Sequence, residues 1–129
     1  MVMPATNVSG PDVTAAVPPL VDLAAVTGSG GVVWSVSPQG FHANLVVLAP
    51  NGAIGAHRND SVDVLVVVLA GEGLATAGQR NVALEPMSAL LIPRGAMRSI
   101  VAGPSGLRYL TVHEQRGALT IGQGKDRHV

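Results

Sequence analysis

Apolar and polar residues alternate along this chain in short blocks, and each block is closed by Gly, Pro or Asn. That is the period and punctuation of β-strands joined by tight turns. The blocks predict strands at Val32–Val36, Ala43–Ala49, Ile54–His57, Val62–Leu69, Leu74–Ala77, Asn81–Leu84, Ala89–Ile92, Met97–Ala102 and Leu107–His113, with Leu119–Ile121 as an added edge strand. Turns are expected at Ser37–Gly40, Pro50–Gly52, Gly71–Gly73, Gly78–Gln79, Pro93–Gly95 and Gly103–Gly106. Val62–Leu69 is rich in β-branched residues and apolar on both faces apart from Asp63, so both of its faces are expected to be covered. Ahead of the strands, residues 1–18 are small and polar and read as an arm. Pro18–Val26 has the makings of one or two helical turns, and Thr27–Gly31 is a flexible break. Many short strands with no long helical segment predict an all-β fold, either a closed barrel or a double-sheet jelly roll. The expected organisation is an N-terminal arm over 1–30, a barrel over 31–122 and a C-terminal tail over 123–129.

Composition sharpens this picture. The 129 residues make up one domain's worth of chain, enough to bury a core without staples. Apolar residues make up 47%, yet there is one Trp, one Tyr and one Phe, so the core must be aliphatic. There is no Cys, which removes disulfide and thiolate chemistry. Eight basic and eight acidic residues balance to zero net charge, and no basic patch points to a nucleic-acid partner. So little charge leaves little to hold copies apart, and a homodimer is expected. The longest apolar run, Val64–Ala70, is far short of the roughly 20 residues that cross a membrane. The N-terminus lacks the basic start of a signal peptide, so a cytoplasmic protein is expected.

Two stretches carry the candidate chemistry: Gly55–Gly73 (GAHRNDSVDVLVVVLAGEG) and Leu90–Arg98 (LLIPRGAMR). Together they resemble the two signature motifs of the cupin family, over roughly residues 41–115. The first cupin motif runs Gly, five residues, His-x-His, three or four residues, Glu, six residues, Gly. His57 matches its first histidine, and Asn59 stands where the second belongs. Asp63 takes the glutamate position with a spacer of three, whereas the closing Gly71 asks for a spacer of four and puts Val64 there. The second motif runs Gly, five residues, Pro-x-Gly, two residues, His, three residues, Asn. Pro93 and Gly95 match, while Met87 replaces the first glycine, Arg98 the histidine and Ala102 the asparagine. The resemblance implies a cupin-like β-barrel with turn residues retained and most metal ligands replaced.

Cupins of the metal-dependent kind hold a divalent ion with three histidines and a carboxylate, donors that suit Zn, Fe, Mn, Ni or Cu. Asn is a poor ligand for these ions, and Arg98 is a permanent cation that cannot coordinate one. The inherited site is therefore expected to be lost, leaving no cofactor, or else a divalent metal held at a rearranged site of His57, His113 and Asp63, with His42 as a further histidine nearby. Arg98 has three readings. It pairs with Asp63 inside the barrel, with His57 and Asn59 bonded around them; it clamps an anionic group of a small molecule; or it faces solvent. Tyr109, Thr111 and His113 share one face of the last main strand and Leu110 and Val112 the other, and either face can be the inner one. Met87 and Met97 are expected to fill core space.

The ligand-binding candidates are thus His57, Asn59, Asp63, Arg98, Tyr109 and His113. Three functions follow: a small-molecule binding barrel, such as a sensor or carrier, that takes an anion; a metal-dependent enzyme of dioxygenase or isomerase type; and a structural or interaction domain with a filled barrel.

Overall fold

Two of the predicted breaks bend the chain without ending a strand, so the predicted strands merge into seven. The computed structural model describes residues 20–115. Its strands are β1 (Gly31–Val36), β2 (Phe41–Leu48), β3 (Ala53–Arg58), β4 (Val64–Ala77), β5 (Arg80–Leu84), β6 (Ala89–Ile92) and β7 (Met97–Glu114). The two strands predicted on either side of Gly71–Gly73 are the single long β4, and those flanking Gly103–Gly106 are the single long β7. The expected edge strand at Leu119–Ile121, the arm over 1–18 and the tail over 123–129 lie outside the described residues.

The bends are built where β4 and β7 cross. Gly71 and Gly106 both take positive φ, at 82° and 80°. A Cβ on Gly71 would collide with the Gly106 carbonyl oxygen, so only glycine lets the two backbones approach this closely. The register between the strands shifts at the same place, between Val68 and Ala70 and again between Gly71 and Gly73. Bulges of this kind turn a sheet.

All pairing is antiparallel, with β1-β2-β7-β4-β5 in order, β3 joined to β7 and β6 to β4. Because β4 and β7 bend, each serves two layers. The first half of β4 and the second half of β7 join β6 and β2, with β1 beyond β2, while the other halves join β5 and β3. The result is the double-sheet jelly roll expected from the strand pattern. Its core is aliphatic, with Val46, Leu48, Val62, Val64, Val66, Val68, Leu84, Ile92, Ile100 and Leu107 around Tyr109.

Three local expectations are corrected. The strand expected at Val62–Leu69 covers one face only: Val62, Val64, Val66 and Val68 are buried, while Leu65 is 38% exposed and Leu91 beside it 60%. The methionines do not fill the core, since Met87 is 86% exposed and Met97 48%. The predicted helical turns reduce, within the described residues, to one turn closed by the Asp22 carbonyl and carboxylate accepting from Ala25 and Ala24, each at 3.0 Å. The Arg108 guanidinium donates to the carbonyls of Leu23 and Val26 and ties this segment to the barrel.

Candidate functional site

A pocket of about 100 Å³ opens into the barrel between the two layers. Its mouth is formed by Gly31, Val32, Ile54 and His57, which are exposed or half-buried. Its floor and walls are the buried side chains of Val46, Val64, Val66, Ile92, Arg98, Ile100, Tyr109 and Thr111. The polar part of that lining comes largely from one strand. β7 bends at Gly103–Gly106, so Arg98 from its first half and Tyr109 and Thr111 from its second meet in the same space.

Arg98 is only 3% exposed, and its Nη1 has no hydrogen-bond partner among the described residues. Among the described residues the ion pairs are Arg58–Asp60 and Arg94–Asp63, so no carboxylate is within reach of Arg98. Burial holds its guanidinium below its usual range, against a smaller opposing effect of Tyr109. The phenol cannot serve as counter-ion, because burial pushes the Tyr109 hydroxyl up to about 12 despite Arg98 beside it. The site therefore holds a desolvated cation facing a neutral phenol and a wall of valine and isoleucine.

The internal Asp63–Arg98 pair, one of the three readings of Arg98 from sequence, does not form. Parity explains why: Val64 points into the pocket, so Asp63 on its flank points out, and the motif's glutamate position in the lumen is Val64. The Asp63 carboxylate instead accepts the main-chain N–H of Arg94 at 2.8 Å. Asn59 is also engaged in the loop. Its side-chain oxygen accepts the N–H groups of Ser61 at 2.8 Å and Val62 at 3.2 Å, and its carbonyl accepts from Gly95 at 2.8 Å. These bonds dock the β3–β4 loop onto the β6–β7 turn, so Asn59 and Asp63 position loops and do not line the pocket.

His57 lies across the β3–β7 pairing from Arg98 and lines the mouth. Its Nδ1–H donates to the Gly55 carbonyl at 2.9 Å, since a carbonyl can only accept. His113 does not converge with it. The polar face of β7 is the inner one, as Tyr109 and Thr111 show, but His113 sits at its outer end beyond the pocket lining. There its ring lies 5.2 Å from that of His42, its cross-strand partner, and its Nδ1 meets the Glu114 carbonyl at 2.9 Å. The rearranged site of His57, His113 and Asp63 is thus not assembled, and no group of three or more His, Cys, Asp and Glu able to hold a metal occurs among the described residues. Of the four ligand positions in the cupin motifs, Val64 and Arg98 supply no donor to a cation and Asn59 is turned into its loop, so these four positions do not present a set of donors that fits a divalent ion.

Sequence reasoning missed Asn44. It is 4% exposed in the middle of the apolar β2, and its amide donates to the Thr111 hydroxyl at 3.3 Å. An Asn between Ala43 and Leu45 was itself the signal, because a buried amide must find partners.

No family model matches the sequence, and no curated protein matches it. Solved structures do. The barrel is similar to TT1209 from Thermus thermophilus, with a TM-score of 0.67 and 22% identity, covering 76% of this chain and 98% of that one. It is similar to KdgF from Halomonas sp., with a TM-score of 0.60 and 18% identity over 65% of this chain and 77% of the other. The cupin domain of Schizosaccharomyces pombe Cnp3 matches with a TM-score of 0.59 and 17% identity, covering 64% of this chain and 63% of its own. Identities this low show the fold alone, and the fold is that of the cupins.

Proposed function

We propose that this cupin barrel is a small-molecule binder that holds an anionic group through Arg98 in place of a metal ion. The observation that carries the reading is an arginine 3% exposed at a pocket wall, whose buried Nη1 has no hydrogen-bond partner among the described residues. An uncompensated buried charge costs several kcal/mol. A ligand carboxylate or phosphate would offset that cost through paired charge-assisted hydrogen bonds, which the planar guanidinium is shaped to make. A pocket of about 100 Å³ favours a binding barrel over a filled structural one.

The test has two readouts on the untagged protein, purified without chelator from metal-supplemented medium. Elemental analysis is expected to find Zn, Fe, Mn, Ni and Cu well below stoichiometric. Acetate added at constant ionic strength is expected to raise the melting temperature of the wild type and not of Arg98→Met. Near-stoichiometric metal, or an acetate response that survives Arg98→Met, overturns the reading.

Pairing with a second copy belongs to the same proposal. Leu65 and Leu91 are cross-strand partners on an outward face, 38% and 60% exposed. Light scattering is expected to give a dimer, shifted toward monomer by Leu91→Lys; a monomer at high concentration would remove this part. No helix among the described residues is long and apolar enough to cross a membrane.

A further inference from the structure

We propose that the ligand is a short aliphatic monocarboxylate, its carboxylate set between Arg98 and the hydroxyl of Thr111 and its hydrocarbon against the Val and Ile wall. The proposal rests on the reading of Arg98 above and names the chemistry of what it binds.

The first support is a hydrogen-bond chain that runs from the rim to the pocket. Gln115 donates to the Ser37 hydroxyl at 2.8 Å, Ser37 meets His42 Nδ1 at 3.0 Å, His42 Nε2 meets the Asn44 side-chain oxygen at 2.9 Å, and the Asn44 amide nitrogen donates to Thr111 Oγ1 at 3.3 Å. An amide oxygen only accepts, so His42 Nε2 must carry a proton. With Asn44 Oδ1 turned to His42, its NH₂ is turned to Thr111. Thr111 accepts that bond, which leaves its own O–H to donate elsewhere. Among the described residues no acceptor takes that proton, and Thr111 lines the pocket. The inner links are the same whether His42 is neutral or cationic, because Nε2 donates in both forms.

Arg98 is a donor only, and Thr111 is held as a donor. Both residues line the same pocket, so an acceptor with two oxygens and a negative charge is the group that would satisfy both. The second support is the rest of the lining. Val46, Val64, Val66, Ile92 and Ile100 offer no partner to another polar group, and the Tyr109 phenol and the His57 ring at the mouth are the polar side chains left besides Arg98 and Thr111. With no second arginine or lysine in the lining, a dicarboxylate would set its second charge largely against hydrocarbon at a cost. The third is size. An apolar cavity of about 150 Å³ accommodates benzene, and the pocket here is about 100 Å³. In proportion that leaves room for roughly four enclosed non-hydrogen atoms, so a short-chain acid fills the pocket and a branched one of about six reaches its mouth.

The experiment is calorimetric titration of the full chain with isobutyrate as probe, alongside its neutral isostere isobutyramide and inorganic phosphate. Isobutyrate is expected to bind at least about tenfold more tightly than either. Thr111→Val is expected to weaken isobutyrate by about 10- to 100-fold, the worth of one hydrogen bond to a charged group, and Thr111→Ser to restore it. Should Thr111→Val fold poorly because Asn44 loses its acceptor, the double variant Asn44→Leu, Thr111→Val removes both partners and makes the same prediction. Isobutyrate affinity unchanged by loss of the hydroxyl but abolished in Arg98→Met overturns the role of Thr111 and leaves the Arg98 reading standing. Phosphate binding as tightly as isobutyrate overturns the ligand class alone. Failure of isobutyrate, phosphate and acetate alike to bind the wild type overturns both proposals.

Discussion

Asp63 is bound to Arg94, not to Arg98. Its carboxylate accepts the Arg94 main-chain N–H at 2.8 Å and lies 3.6 Å from the Arg94 guanidinium, outside the barrel. Four residues further along the chain, Arg98 enters the core with no carboxylate among the described residues to meet it. The acid that sequence spacing offers as the partner of the buried cation thus holds a loop on the other side of the wall.

An unpartnered buried charge should weaken the fold that contains it. Arg98→Met keeps much of the length of the side chain and removes the charge, and is expected to stabilise the ligand-free protein by about 1–2 kcal/mol. For a domain of this size that is a rise in melting temperature of roughly 5–10 °C. Calorimetry on the wild type and variant without added anions checks it. A fall in melting temperature would mean that the guanidinium is satisfied within the protein.

Asp63→Ala reports on the same geometry from the other side. The Asp63–Arg94 contact is exposed at both ends, so losing it should cost about 1 kcal/mol. Breaking an internal ion pair would cost about 3–5 kcal/mol. Urea unfolding separates the two, and isobutyrate affinity should be unchanged in this variant.

Met87 occupies the position of a motif glycine and keeps a glycine's conformation, with φ at 69°. It follows Pro86 in a turn closed by Ser88 N–H to the Glu85 carbonyl at 3.2 Å. Proline second and positive φ third is the pattern of a type II turn, which favours glycine at the third place. The side chain is 86% exposed and contributes little packing to offset the strain. Met87→Gly should therefore stabilise the protein by about 0.5–1 kcal/mol, after the extra backbone entropy of glycine is allowed for. Denaturant midpoints measure this, and an unchanged or lower midpoint would contradict it.

Tyr109 predicts the alkaline limit of the fold. Burial raises its phenol from 10.0 to about 12, with Arg98 acting in the opposite direction. The native state thus prefers the neutral phenol more than the unfolded chain does. That preference contributes fully below pH 10 and is lost as pH rises through 12. Its size is about 3 kcal/mol, because each tenfold change in proton affinity is worth about 1.4 kcal/mol. Tyr109→Phe should lose less stability than the wild type over that interval. The chain has one Tyr, so phenolate absorbance follows this group alone, and a wild-type midpoint near 10 would refute the burial argument.

Much of the architecture was legible from residue order, because turn chemistry and strand period are local. Pro50–Gly52, Gly78–Gln79 and Pro93–Gly95 mark turns from their residue types alone, and each separates strands that form where the alternation places them. The cupin-like spacing of His57, Gly71, Pro93, Gly95 and Arg98 pointed to the jelly roll that the fold has. Tertiary structure decided what local pattern could not. Whether Gly71 and Gly106 end strands or bend them depends on two backbones approaching each other from distant parts of the chain. The inward turn of Arg98 depends on its register against His57 in β3 and Ala77 in β4, which the turn at Pro93–Gly95 hides from a count of alternating residues. The choice between Asp63 and Val64 was settled by which of two adjacent side chains the sheet turns inward, since neighbours on a strand point to opposite faces. Asn44, His42 and Thr111 form a chain only because β2 lies beside the far half of β7. A side chain's type can be read from sequence, but its partner is set by the pairing of strands remote in the chain, and in this barrel that pairing brings a buried arginine and a buried threonine to the lining of one small pocket.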